Sequence, residues 1–109
     1  MRKYYIVTTK KILEEYKPLV THCAIFRTEQ KAQKLFEYIA KTMPSTQKDI
    51  LEVQVEELHL VTMLDEKNQE TIVGFGDEQK AAEAVKGIYL QFFPTHSFSV
   101  RPFQSSDFI

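Results

Sequence analysis

Two amphipathic stripes of equal length, each with a capping residue before it and a proline after it, constrain this chain more than any other feature. In the first, apolar residues fall at Ala32, Leu35, Phe36, Ile39, Ala40 and Met43, offsets of 3, 4, 7, 8 and 11 that trace one face of a helix. Thr28 stands where a side-chain oxygen can accept a free first-turn N–H. Glu29 lies in the positive end of the helix dipole, and Pro44 stops the helix at or just before Met43. In the second, Asp77 precedes Glu78-Gln79-Lys80-Ala81, and the stripe runs through Ala81, Ala84, Val85, Ile88, Tyr89 and Phe92 to Pro94. Each of its positions is a first-stripe position plus 49; Glu-Gln-Lys-Ala recurs at that spacing, as do Phe26 and Phe75, while the prolines differ by 50.

The flanks extend the match. Two candidate strands precede each helix, Lys3 to Thr9 and Leu19 to Phe26, then Leu58 to Leu64 and Thr71 to Phe75. A third follows each: Leu51, Val53 and Val55 alternate with Glu52, Gln54 and Glu56, and Phe98 and Val100 alternate with Ser97, Ser99 and Arg101. The segment Lys10 to Tyr16 fits either a short helix, with Ile12, Leu13 and Tyr16 on one face, or a long hairpin.

The expected fold is therefore α+β, a single domain over residues 1–109 made of two tandem ββαβ units, residues 3–57 and 58–103. Right-handed crossovers then give a split-βαβ, ferredoxin-like style, with a mainly antiparallel sheet and the two amphipathic helices on one side. Tyr4 and Ile6 oppose Tyr5 and Val7, and Leu58 and Leu60 oppose His59, Val61 and Met63, so both faces of these two strands are apolar. A sheet open to water on one face should alternate more cleanly, and the second face is expected to be covered by a partner or a second copy.

Composition narrows the function classes. A net charge of −1 argues against both a polyanion binder and an acidic nucleic-acid mimic, each of which needs a strong field of one sign. The charge is uneven: residues 1–20 hold five cations against two carboxylates, and residues 50–70 hold six carboxylates against Lys67 alone. No apolar run approaches the roughly 20 residues needed to span a bilayer, and the first ten residues lack the apolar stretch of a secretory signal. With Cys23 the only cysteine, no internal disulfide can form, and a cytoplasmic location without membrane association is expected.

Catalytic signatures are missing. Gly74-Phe75-Gly76 stands where a dinucleotide-binding turn would lie, but Gln79 replaces the third glycine, and Glu29, Asp77 and Glu78 occupy the helix starts that would attract phosphate. His22, His59 and His96 are too scattered for a metal site, although His22 and His59 could meet on adjacent strands. His22 and Cys23 point to opposite faces of one strand, which leaves Cys23 a small apolar residue. The pairs Glu56-Glu57 and Asp65-Glu66 fall at turns, where carboxylates stay solvated.

The leading expectation is a non-enzymatic protein-interaction module, an adaptor, inhibitor or regulatory subunit, with a homodimer as one form and no metal or cofactor. Its contact residues would be Tyr5, Val7, His59, Val61 and Met63 on the covered face, with Phe108 and Ile109 docking in trans or, alternatively, on the chain's own core. One alternative is weak single-stranded nucleic-acid binding through Arg2, Lys3, Tyr4, Lys10 and Lys11, where cations surround aromatic rings. Nucleic acid is nonetheless disfavoured as a partner, because so few phosphate contacts give little affinity. A small-molecule sensor with its ligand between the two halves is the other alternative.

Overall fold

The structure is a computed structural model that describes residues 1–12 and 19–109, with backbone alone at positions 11, 12, 19 and 20. The chain is α+β, with two three-stranded antiparallel sheets and two helices. The first sheet contains β1 (Arg2–Ile12), β2 (Leu19–Phe26) and β3 (Lys48–Val55) in the order β2-β1-β3, with α1 (Glu29–Thr42) between β2 and β3. The second contains β4 (His59–Leu64), β5 (Glu70–Gly76) and β6 (Ser97–Pro102) in the order β5-β4-β6, with α2 (Gln79–Phe92) between β5 and β6. A short 3₁₀ turn, Ser105–Asp107, follows β6. Of the ambiguous segment, Lys10 to Ile12 is strand, paired with Leu19 to Thr21. Leu13 and Tyr16 lie outside the described residues.

Strand alternation sorts the side chains into four layers. Tyr4, Ile6 and Ile25 face inward from the first sheet and Leu58 and Leu60 from the second, forming one core between the sheets in which each is at most 2% exposed. Val7 and Phe26 face outward and pack under Ala32 and Ile39 of α1. Val61, Val73 and Phe98 face outward from the second sheet and pack with Ala82 of α2 and with Phe93 just after it. Each sheet thus carries one helix on its outer face, and the two helices flank the molecule from opposite sides rather than sharing one. The reason lies in β1 and β4: apolar on both faces, each needs cover twice, and the other sheet supplies the second cover.

Local chemistry sets the helix ends. The Thr28 side chain accepts the Lys31 N–H at 3.3 Å, as the sequence predicts. At α2 the cap is Glu78 rather than Asp77, and no side chain bonds the first-turn amides. The helices therefore start 50 residues apart, not 49, and the following details repeat at 50: Ala32 and Ala82 fully buried, the Met43 and Phe93 amides donating to the Ile39 and Tyr89 carbonyls, and the stops at Pro44 and Pro94. A one-residue slip turns a helix by about 100°. The buried face of α2 is accordingly Ala82, Val85 and Tyr89, with Phe93 beyond its end, not the stripe through Ala84, Ile88 and Phe92.

The two glycines beside α2 reflect close packing rather than a nucleotide turn. A Cβ on Gly76 would lie 2.7 Å from the Ala82 amide nitrogen, and one on Gly74 would meet Val85 at 3.0 Å. At the neighbouring β4–β5 turn, the Asp65 carboxylate accepts the Lys67 and Gln69 amides at 2.8 Å each, and Asn68 takes the left-handed φ of 60°.

Candidate functional site

The residues first expected to meet a partner lie under the helices. Val7 is 1% and Val61 0% exposed, Tyr5 packs in the α1 layer, and Met63 packs in the α2 layer. His59, half-buried, shares the outer face with Val61. The face these side chains form is covered by the chain itself, which removes Val7 and Val61 from any external contact surface.

Phe108 is likewise engaged internally. It stacks on Tyr4 at 5.9 Å, meets Phe103 edge-on at 4.7 Å, and carries the Arg27 guanidinium 4.3 Å above its ring. The Ile109 amide donates to the Ile25 carbonyl at 3.0 Å, while its side chain remains 69% exposed. The anchor of this segment is Arg101, which donates two bonds to the Asp107 carboxylate at 2.7 and 2.8 Å and also binds Glu70 of β5. The guanidinium hydrogen bonds hold the Asp107 carboxyl below the ordinary aspartate range, and the two carboxylates raise the pKa of Arg101.

The basic set does not form one patch. Arg2 and Lys3 are exposed at one end of β1 and Lys10 at the other, about 23 Å away at 3.3 Å per residue; only the backbone of Lys11 is described. Lys3 bonds Glu52 of β3 at 3.1 Å, so part of the basic beginning of the chain meets the acidic stretch internally. Tyr4 is 2% exposed, with Phe103 and Phe108 against its ring, which leaves it no free face for a base.

The histidines stay apart as well. His22 pairs with Thr9 in the ladder on the α1 side of the first sheet, and His59 lies on the α2 side of the second. Cys23 packs into the core between the sheets, where desolvation pushes its thiol up to about 12. No group of three or more His, Cys, Asp or Glu among the described residues could hold a metal ion, and no described helix is long and apolar enough to cross a membrane.

Among the exposed apolar side chains, two share a row on α2. Ile88 is 58% and Phe92 43% exposed, and Ala84 completes an i, i+4, i+8 row with them. At the same helical positions, 50 residues earlier, α1 carries Lys34, Tyr38 and Thr42. The α2 row is apolar throughout, whereas the α1 row is mixed, with the 62% exposed Tyr38 between Lys34 and Thr42. No family model, curated protein or solved structure matches this chain.

The row next to the stripe on its solvent side holds Glu83, Gly87 and Gln91. Gly87 is exposed, and a Cβ there would meet nothing within 4 Å. Glycine inside a helix costs about 1 kcal/mol relative to alanine, and no contact among the described residues requires it. The Glu-Gln-Lys-Ala repeat sets a register of 49 that puts Ala84, Ile88 and Phe92 on the apolar stripe. The proline spacing of 50 is the signal that places them outside.

Proposed function

We propose that this protein is a non-enzymatic interaction module that pairs with a second copy of itself through α2. The observation that carries this reading is the exposed, wholly apolar Ala84–Ile88–Phe92 row, set against the mixed row Lys34–Tyr38–Thr42 on α1. A two-fold axis through Ile88 sets Ile88 against Ile88 of the second copy, and Ala84, a small side chain, against Phe92, a large one. No charged residue falls within the row between positions 84 and 92, so pairing desolvates no ion there. Gly87 lets the second backbone approach closely. Two 14-residue helices bury less than the roughly 800 Å² per partner of a standard stable interface, so the pair is weak and concentration-dependent.

The same register supports a duplicated scaffold. The element order strand–strand–helix–strand in each half, with its first strand in the middle of the sheet, and the 50-residue spacing of the helices support reading the two as split-βαβ, ferredoxin-like repeats. In this reading one copy kept a mixed helix flank and the other became the contact surface. A protonated, partly buried Cys23 suits the reducing cytoplasm as the place of action.

Sedimentation equilibrium tests the pairing. The weight-average mass should climb from monomer toward dimer with concentration, and Ile88→Glu should hold it at monomer while leaving the circular dichroism spectrum unchanged. A wild-type chain that stays monomeric up to millimolar concentration refutes the reading, as does a dimer indifferent to Ile88→Glu.

A further inference from the structure

A cleft of about 440 Å³ opens where the beginning of β1 meets the segment after β6. Arg2, Lys3 and Arg27 line it together with Ser105 and the rings of Phe103 and Phe108, and among the described residues no carboxylate does. Its volume lies in the range of small-molecule sites. The chain as a whole is slightly acidic, so the positive character is local to this cleft.

The three cations are not equivalent. Lys3 is matched by Glu52 at 3.1 Å, and Glu29 also acts on it electrostatically. Arg2 and Arg27 form no ion pair among the described residues. Asp107, the nearest carboxylate in the segment that follows β6, has both oxygens engaged by Arg101, and one of them also accepts the Gln104 amide at 2.7 Å. The Arg27 guanidinium carbon lies 4.3 Å over the Phe108 ring, and with no ion pair among the described residues its N–H donors can serve a ligand. Phe108 is in turn held by Tyr4 and Phe103, so this arginine has a fixed support.

We propose that the cleft binds a phosphate monoester carried on a small organic molecule. The guanidinium groups of Arg2 and Arg27 donate to the phosphate oxygens, with the Ser105 hydroxyl as a further donor, and the apolar part of the ligand lies along the edges of Phe103 and Phe108. Guanidinium is the side chain best matched to phosphate, because its planar N–H fork meets two oxygens at once. A nucleic-acid strand fits less well: it needs a free aromatic face for its bases, and Tyr4 and Phe108 have theirs occupied.

Titration of the intact, isotope-labelled protein with phenyl phosphate, inorganic phosphate and a single-stranded oligonucleotide, followed by amide chemical shifts, tests this site. Phenyl phosphate should bind saturably, with shifts at Arg2, Arg27, Ser105 and Phe108, and more tightly than inorganic phosphate. Arg27→Ala and Arg2→Ala should each weaken it about tenfold or more, the loss expected from one charge-assisted bond. The Arg2 side chain is exposed and forms no ion pair among the described residues, and its ladder pairing with Val55 is made by the backbone, so its variant stays informative if Arg27→Ala loosens the Phe108 segment. Absence of saturable phenyl phosphate binding at millimolar concentration overturns the proposal. So does binding that both variants leave intact, or an oligonucleotide that binds through the same residues more tightly than phenyl phosphate.

Discussion

The hydroxyl of Tyr89, on α2, accepts the backbone N–H of Thr21, on β2, at 3.3 Å across 68 residues of sequence. The same hydroxyl donates to the Val73 carbonyl at 2.7 Å. Val73 is the extra residue of a bulge, since the ladder passes from Val61 opposite Gly74 to Thr62 opposite Ile72, and it is fully buried. One side chain therefore satisfies the bulge and fastens the edge of one sheet to the edge of the other.

Tyr89→Phe keeps the ring and its stacking on Phe98 at 5.4 Å but leaves a buried carbonyl without its partner. The expected cost is about 1–3 kcal/mol, measured by denaturant unfolding. A change within experimental error would show that the two sheets dock without this bond.

Gly76→Ala tests the closeness of α2 to β5. The added methyl would stand 2.7 Å from the Ala82 amide nitrogen, a backbone atom that cannot swing aside. Destabilisation of about 1–3 kcal/mol is expected, whereas Gly87→Ala, whose methyl meets open space on a helix, should stabilise by about 1 kcal/mol. Equal effects at the two positions would contradict the packing described.

Thr62 is fully buried between the sheets, and its hydroxyl has no hydrogen-bond partner among the described residues. Thr62→Val removes that hydroxyl at nearly constant shape and should raise stability by about 1 kcal/mol. A loss of 1 kcal/mol or more would mean the hydroxyl is satisfied after all.

Much of this fold is legible in the sequence, for identifiable reasons. Period-two alternation in Leu51 to Glu56 and the caps and prolines around residues 28–44 depend on local geometry alone, and these elements lie where the pattern places them. The double-sided apolar character of Tyr4 to Val7 and of Leu58 to Met63 correctly announced cover on both faces. It could not tell a second sheet of the same chain from a partner, because burial reads the same in either case. The outer surface of α2 was hidden by a four-residue repeat of common helix formers, which masked a 50-residue register with a 49-residue one. Arg27 and Phe108 come together only because residues 103–109 turn back to β2, a contact with no local signature.

Acid should loosen that returning segment. The carboxyl of Asp107 titrates below its unfolded value because Arg101 holds the charged form, so its contribution is full above about pH 4 and is lost as pH falls through the lower folded pKa. Asp107→Asn should lower stability at pH 7 by about 1–3 kcal/mol and flatten the acid limb of the stability curve. A variant whose acid limb parallels the wild type would exclude the Arg101 pair as its source.

Cys23 should resist thiol reagents in the folded protein, since burial pushes its pKa up to about 12 and leaves almost no thiolate at neutral pH. Labelling by a disulfide reagent should follow unfolding. Fast labelling under native conditions would place the thiol outside the core between the sheets.

Self-pairing through α2 is tested most directly by amide and methyl chemical shifts over a dilution series of the intact protein. Ala84, Gly87, Ile88 and Phe92 should shift together with concentration while Lys34, Tyr38 and Thr42 stay fixed. An α2 row whose resonances are unchanged up to millimolar concentration would contradict it.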